Sequence, residues 1–316
     1  MSTPAPAPAN PMADLETVCQ ELVQHRRRPL LVLYYPYLAS VAELDMGEVY
    51  QAFRTNGVTV ESKLPELDVL IDSYGGNPVA AYRLAQLIRN MADNAAFLVA
   101  ERAYSAATLL CLAANEIRLA HYAGLSPIDI TLVSEPLEGK REEVELASVD
   151  GFMEFSKKAR QIIEEQLRKM DIKGGTNVDS ELLVAMVKDV GSLRVGKFFR
   201  ERNLTAHYAK ELLEQYMFLE VPDRVERAED MIKNLLHGAP AHYFHLDYHL
   251  CQNYRLIIKE MGTPESDFAK RVVEELEQLT DSGIICAKLS RRRRMPFFGY
   301  FGYTLPPTPP SGAPMP

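Results

Sequence analysis

Asp68-Val-Leu-Ile-Asp-Ser-Tyr-Gly-Gly-Asn-Pro-Val-Ala-Ala-Tyr-Arg-Leu-Ala85 is the stretch whose reading decides the fold. Residues 67–72 are an apolar run of strand length. Residues 73–78 form a glycine turn. Residues 79–91 place Ala80, Leu84, Leu87, Ile88 and Met91 on one face of a predicted helix. A second unit of the same kind follows directly. Residues 96–100 read as a strand, residues 101–104 as a short connector, and Ser105 stands just before a predicted buried helix at 106–114. Residues 116–120 read as a further strand. The alternation of strand, turn and helix implies an α/β fold with parallel strands and right-handed crossovers.

Upstream, residues 14–25 carry Leu15, Val18, Cys19, Leu22 and Val23 at helical spacing, and residues 30–35 form a continuous apolar run that fits a fully buried strand. Residues 44–56 read as a helix closed by Asn56-Gly57. From about residue 150 the chain reads as mainly helical, with helices at 152–170, 180–190, 206–216, 226–236 and 266–279, and a final strand at 283–289. Residues 1–12 are a Pro/Ala-rich lead expected to be disordered, and residues 290–316 an Arg-, aromatic- and Pro-rich tail expected to be disordered. The domain between them spans 13–289. No internal repeat is evident.

The 316 residues are 47% apolar and 25% charged, which is ordinary globular composition. A net charge of −8 argues against nucleic-acid binding, which needs a clustered basic face. The four cysteines, Cys19, Cys111, Cys251 and Cys286, are far apart and form no CxxC pair, so they read as free thiols in a reducing compartment. The first residues lack a basic start and an apolar core, unlike a signal peptide. No stretch reaches the ~20 apolar residues of a membrane span. A cytoplasmic protein without cofactor or metal is the expectation.

Two strand-to-helix turns carry the chemistry. Paired glycines at Gly75-Gly76 allow a sharp turn and leave backbone N–H groups uncovered, which suits a developing oxyanion. Ser105 precedes Ala106 and Ala107, small residues that leave its hydroxyl accessible, and a helix N-terminus favours negative charge there. By itself a glycine pair after a strand is only a turn, and a serine before a helix only an N-cap. Their joint placement in successive units of one sheet raises both above that.

The 68–85 stretch resembles the strand, Gly-Gly, helix signature of the Clp-protease/crotonase superfamily. Ala103-Tyr-Ser-Ala-Ala-Thr-Leu-Leu-Cys-Leu-Ala-Ala-Asn-Glu-Ile117 resembles its nucleophile segment, with Ala107 in place of the usual Gly. Leu125-Ser-Pro-Ile-Asp129 resembles the Gly-Pro-Ile-Asp of one branch, the serine dehydrogenase proteinase family, which is related to signal peptide peptidase A. The close likeness covers about 66–133, and a looser one about 15–260. It implies a Clp/crotonase-like spiral of ββα units with a helical C-terminal extension. It also implies assembly into a ring or trimer-based homo-oligomer and ATP-independent hydrolysis of a peptide or protein substrate. Ser105 would be the nucleophile, with Gly75, Gly76 and the N–H of Ala106 as oxyanion donors. Tyr74 and Tyr104, beside the two turns, and Asp129 are candidates to bind or orient substrate.

The base is the departure from the pattern. Clp-type proteases place a His about 25 residues after the Ser, and residues 125–129 hold none. His121 comes too early and reads as a surface loop residue. Related signal peptide peptidases use a Lys, and Lys158 or Lys157 lies at a similar distance on a predicted helix; Lys140 sits in a charged loop. A Lys acts as base only when neutral, which requires burial. The missing His supports an alternative, a catalytically inactive scaffold or binding protein of the same fold. A crotonase-like acyl-CoA enzyme is a third reading.

Two other clusters stand apart. His237, His242, His245 and His249 fall within thirteen residues, with His245 and His249 at helical spacing, but aromatic residues interleave them and they read as structural. Arg291–Arg294 precede Met-Pro-Phe-Phe-Gly-Tyr-Phe, a compact charge run beside aromatic rings of a kind suited to docking on a neighbouring subunit or partner groove.

Overall fold

The computed structural model describes residues 11–37, 39–128, 131–133, 143–145, 192–237, 244–282 and 296–303. In chain order the elements are α1 (Pro11–Arg26), β1 (Leu30–Tyr34), α2 (Asp45–Thr55), β2 (Leu64–Ser73), α3 (Pro78–Met91), β3 (Ala92–Ala103), α4 (Ala106–Cys111), β4 (Glu116–Leu119) and β5 (Gly124–Leu125). There follow β6 (Thr131–Val133), β7 (Glu143–Glu145), α5 (Ser192–Leu212), which runs on into a π-helical turn at Leu213–Met217, and α6 (Arg224–His237). The last are α7 (Tyr248–Asn253), β8 (Ile258–Glu260), α8 (Thr263–Asp281) and β9 (Phe297–Phe301).

The main sheet is mixed, in the order β8-β4-β3-β2-β1-β9, with β5 continuing beside β3. β1, β2, β3, β4 and β8 are parallel, and β9 runs antiparallel to β1. The successive strand–helix–strand units read in the sequence are therefore present. Every residue of β1 is buried, as are residues 67–73 of β2 and 95–100 of β3. That total burial explains their continuous apolar runs, since central parallel strands are covered on both faces. α1 packs on α8, while α2, α3 and α4 pack in series. α3 begins where it does because Asn77 Oδ1 accepts from the N–H groups of Val79 and Ala80, and Pro78 fills the first helical position.

Three expectations change. Residues 297–301 are not a disordered tail but the edge strand β9, registered on β1 from Leu30 with Phe301 to Tyr34 with Phe297. Aromatic residues suit a pleated, half-buried surface, and β9 covers the otherwise unpaired edge of β1. α4 stops at Cys111 rather than 114. β8 was absent from the sequence reading, because three residues with one buried position leave no periodic signal. The helices expected at 152–170 and 180–190 and the strand at 283–289 lie outside the described residues.

A buried ionic cluster ties the outer helices to the sheet. Arg26, at the end of α1, holds Asp68 of β2 through two hydrogen bonds of 2.7 and 3.1 Å. Arg118 of β4 grips Glu265 of α8 through 2.6 and 2.5 Å bonds, and Arg26 lies 3.4 Å from the same Glu265. Glu265 and Asp68 are almost fully buried. Glu265→Ala would remove the two-bond partner of Arg118 while Asp68 still holds Arg26 and Glu116 still holds Arg118, a change expected to cost about 1–3 kcal/mol. Urea unfolding of the variant measures it.

Candidate active site

Parallel pairing brings the two turns together. Ser73, at the end of β2, registers with Ala103, at the end of β3. Both strands therefore finish on one edge, at their carboxyl ends, where ligands bind in open α/β sheets. The register slips between Ile71 and Ser73, opposite Val99 and Ala103, so β3 bulges there. Asp72 fills the bulge: its Oδ1 accepts from the Arg102 N–H and from Arg102 Nε, both at 3.1 Å.

Ser105 sits at φ 52°, ψ −116°, left-handed backbone that a non-glycine residue adopts only at a cost. Specific bonds hold it there. The Tyr104 N–H donates to the Ser73 carbonyl at 3.0 Å, and the Ala107 N–H donates to the Tyr104 carbonyl at 2.9 Å. The Leu109 N–H reaches the Ser105 carbonyl at 3.1 Å. The Ser105 N–H donates to Ser126 Oγ at 2.7 Å. The Ser105 hydroxyl makes no capping bond to α4. The Ala106 N–H opens α4 and has no acceptor among the described residues.

Gly75 lies directly against this turn. A Cβ on it would stand 2.7 Å from the Tyr104 carbonyl oxygen, 2.9 Å from Ser105 Cβ and 3.2 Å from the Ala106 nitrogen, at φ 108°. Only glycine lets the two turns approach so closely. The Gly75 N–H donates to Ser73 Oγ at 3.0 Å, so it is occupied in this conformation, while its carbonyl accepts from the Val41 N–H at 2.9 Å. Gly76 is a glycine for a different reason. Val41 bridges alongside it, and a Cβ there would meet Val41 backbone atoms, with Val41 Cα at 3.0 Å. The Val41 carbonyl accepts from the Asn77 N–H at 2.9 Å. Among the described residues the Gly76 N–H has no acceptor. Among the described residues the amides of Gly76 and Ala106, one on each turn, are thus without an acceptor.

Tyr74 and Tyr104 project into an aromatic row. Tyr37, Tyr74, Tyr104 and His245 follow one another in edge-on contacts of 5.7, 6.2 and 6.4 Å. His245 Nδ1 lies 3.2 Å from the Tyr104 hydroxyl. His245 also covers Gly124, where a Cβ would come 2.6 Å from Nδ1. It precedes α7, so it does not share a helix face with His249 as its spacing suggested. Two cavities flank Tyr74 and Arg102. One, of about 210 Å³, is lined by Tyr34, Tyr37, Asp72 and Glu277; the other, of about 530 Å³, by Tyr104, His121, Tyr122 and Lys270. Neither wall includes Ser105.

Burial pushes the Asp72 carboxyl up to about 7, outweighing the pull of the Arg102 guanidinium, and burial likewise raises the Tyr104 hydroxyl. His121 lies in the turn after β4, half-exposed, with Nδ1 3.2 Å from Glu260. Cys19, Cys111 and Cys251 are buried free thiols. Asp129, Lys140, Lys157, Lys158 and His242 lie outside the described residues, so the structure does not place them relative to Ser105. Among the described residues no cluster is arranged to hold a metal ion, and no helix is long and apolar enough to cross a membrane. Protein-family profiles give no match to this chain, and neither do curated proteins.

The sequence reading missed Asp72, Ser73, Arg102 and Ser126. Ser73 carried a signal, since a Ser two residues before a glycine turn can bond the turn amide. Ser126 carried none, because its partner Ser105 N is distant in sequence.

Two outcomes follow from this geometry. Gly76→Ala is expected to destabilise by about 1–3 kcal/mol from backbone strain alone, with further loss from the Val41 clash, readable in denaturant unfolding. For Asp72 the folded carboxyl lies above its ordinary value of 3.8. Its stabilising contribution is complete below about pH 4 and is lost as pH rises toward 7. Asp72→Asn is therefore expected to flatten the decline in stability across that window in unfolding curves taken at several pH values.

Proposed function

We propose that this protein is a serine hydrolase in which Ser105 is the nucleophile. The observation that carries the reading is the backbone of Ser105, held at φ 52° on a sharp strand-to-helix turn with the Ala106 N–H beside it, which has no acceptor among the described residues. A hydroxyl raised on such a strained turn is accessible to a substrate carbonyl, and the amide of the following residue is placed to stabilise the oxyanion. The Gly76 N–H is the second candidate donor. The Gly75 N–H would join only by leaving Ser73 Oγ.

In the proposed reaction the Ser105 oxygen attacks the acyl carbon and its proton passes to a base, for which Lys158 and Lys157 remain the candidates. The acyl-enzyme forms as the leaving group departs with a proton, and water then releases the acid. The likeness to serine dehydrogenase proteinases favours a peptide or protein substrate, ATP-independent cleavage, a Clp/crotonase-type fold, a homo-oligomer and a cytoplasmic site of action. Tyr74 and Tyr104 would line the substrate path.

A second reading, an inactive scaffold of the same fold, is favoured by one specific observation. Ser73 Oγ and Val41 already occupy the Gly75 amide and carbonyl.

A fluorophosphonate probe separates the two. Covalent labelling of the folded protein is expected, abolished by Ser105→Ala; no labelling at any pH between 6 and 9 would sink the hydrolase reading. The strain itself has a separate signature. Ser105→Gly is expected to be more stable than Ser105→Ala by about 1 kcal/mol, because glycine tolerates positive φ. Paired thermal or urea melts report it.

A further inference from the structure

Ser126 has the most specific contact with the strained turn. It follows β5, is fully buried, and lies opposite Tyr104 because β5 registers Leu125 with Ala103 of β3. Its Oγ donates to the Pro127 carbonyl at 3.1 Å. With its proton committed there, the oxygen offers a lone pair to the Ser105 N–H at 2.7 Å, and it acts as acceptor rather than donor. Its own N–H donates to Thr108 Oγ1 at 3.1 Å, and that hydroxyl donates to the Ala103 carbonyl at 2.6 Å. Thr108 too is fully buried.

The arrangement is a closed chain of bonds. It starts at Ala103 in β3, passes through Thr108 in α4 and Ser126 after β5, and returns to Ser105. Each link joins a different element to the turn. The amide of Ser105 is the group whose direction fixes φ at that residue, and it is held by a side chain from outside the β3–α4 segment. A glycine at 126, as in the Gly-Pro-Ile-Asp pattern, would supply no acceptor.

We propose that Ser126 is a positioning residue that holds the Ser105 amide, and thereby the Ser105 hydroxyl and the Ala106 N–H, in reactive geometry. The role rests on the reading of Ser105 as nucleophile. Ser126 touches neither substrate nor the reacting atoms, so its effect falls on the chemical step and not on binding. In Ser126→Ala the Ser105 N–H loses its acceptor and the turn is free to relax toward negative φ.

The test measures the rate of fluorophosphonate labelling at Ser105 against probe concentration, in the full chain. Ser126→Ala is expected to lower the maximal labelling rate about 10- to 100-fold, with the half-saturating concentration unchanged. Ser126→Thr, which keeps the hydroxyl, is expected to recover most of the rate. Equal maximal rates for wild type and Ser126→Ala overturn the role while leaving the hydrolase reading standing. An unlabelled wild type overturns that reading and this role with it. A measurement independent of the variants is hydrogen exchange of the Ser105 amide in the wild type. Strong protection is expected; exchange as fast as an open amide contradicts the bond on which the proposal depends.

Discussion

The parallel pairing of β2 with β3 is the constraint from which the candidate site follows. It makes both strands end on one edge, so Gly75 and Ser105, separated by 30 positions in the chain, meet with no room for a Cβ between them. The bulge in β3 then turns the end of that strand, and Asp72 supplies the acceptor that the bulged Arg102 amide would otherwise lack. Residues 67–73 of β2 and 95–100 of β3 are buried, and a one-residue shift would exchange the two faces and the side chains packed on each.

On this frame the left-handed backbone of Ser105 is maintained against its own preference. Such a residue costs about 1–3 kcal/mol, and each of the hydrogen bonds around it returns about 1 kcal/mol, so several together outweigh the strain. The bonds come from different elements: Ser73 from β2, Leu109 from α4 and Ser126 from beyond β5. Relaxing the turn would break more than one of them. Among the described residues the Ala106 N–H has no acceptor, while those of Ser105 and Ala107 are satisfied. The Ala106 amide opens a helix, where the first N–H groups lack an intrahelical carbonyl partner.

Much of this order is written locally. The apolar run at residues 30–35, the glycine pair after residue 72 and the small residues after Ser105 each name an element or a turn without reference to distant contacts. Their successive placement is enough to put Gly75 and Ser105 at strand ends. What depends on long-range register is not written there. Ser126 matters because β5 lies beside β3, and Gly76 is small because Val41 crosses it; neither neighbour is implied by its own stretch. β9 escaped notice because arginines and prolines around an aromatic strand resemble a solvated tail, and only the open edge of β1 gives Phe297–Phe301 a partner. His245 shows the converse error: helical spacing paired it with His249, but α7 starts only at Tyr248, and the ring turns to Tyr104 instead.

The most direct measurement is a crystal structure of the protein after reaction with an organophosphonate. The expected result is a phosphorus atom bonded to Ser105 Oγ, Ser105 still at positive φ, and a phosphoryl oxygen within about 3 Å of the Ala106 nitrogen. A structure in which Ser105 is unmodified and its backbone has relaxed to negative φ would contradict the account.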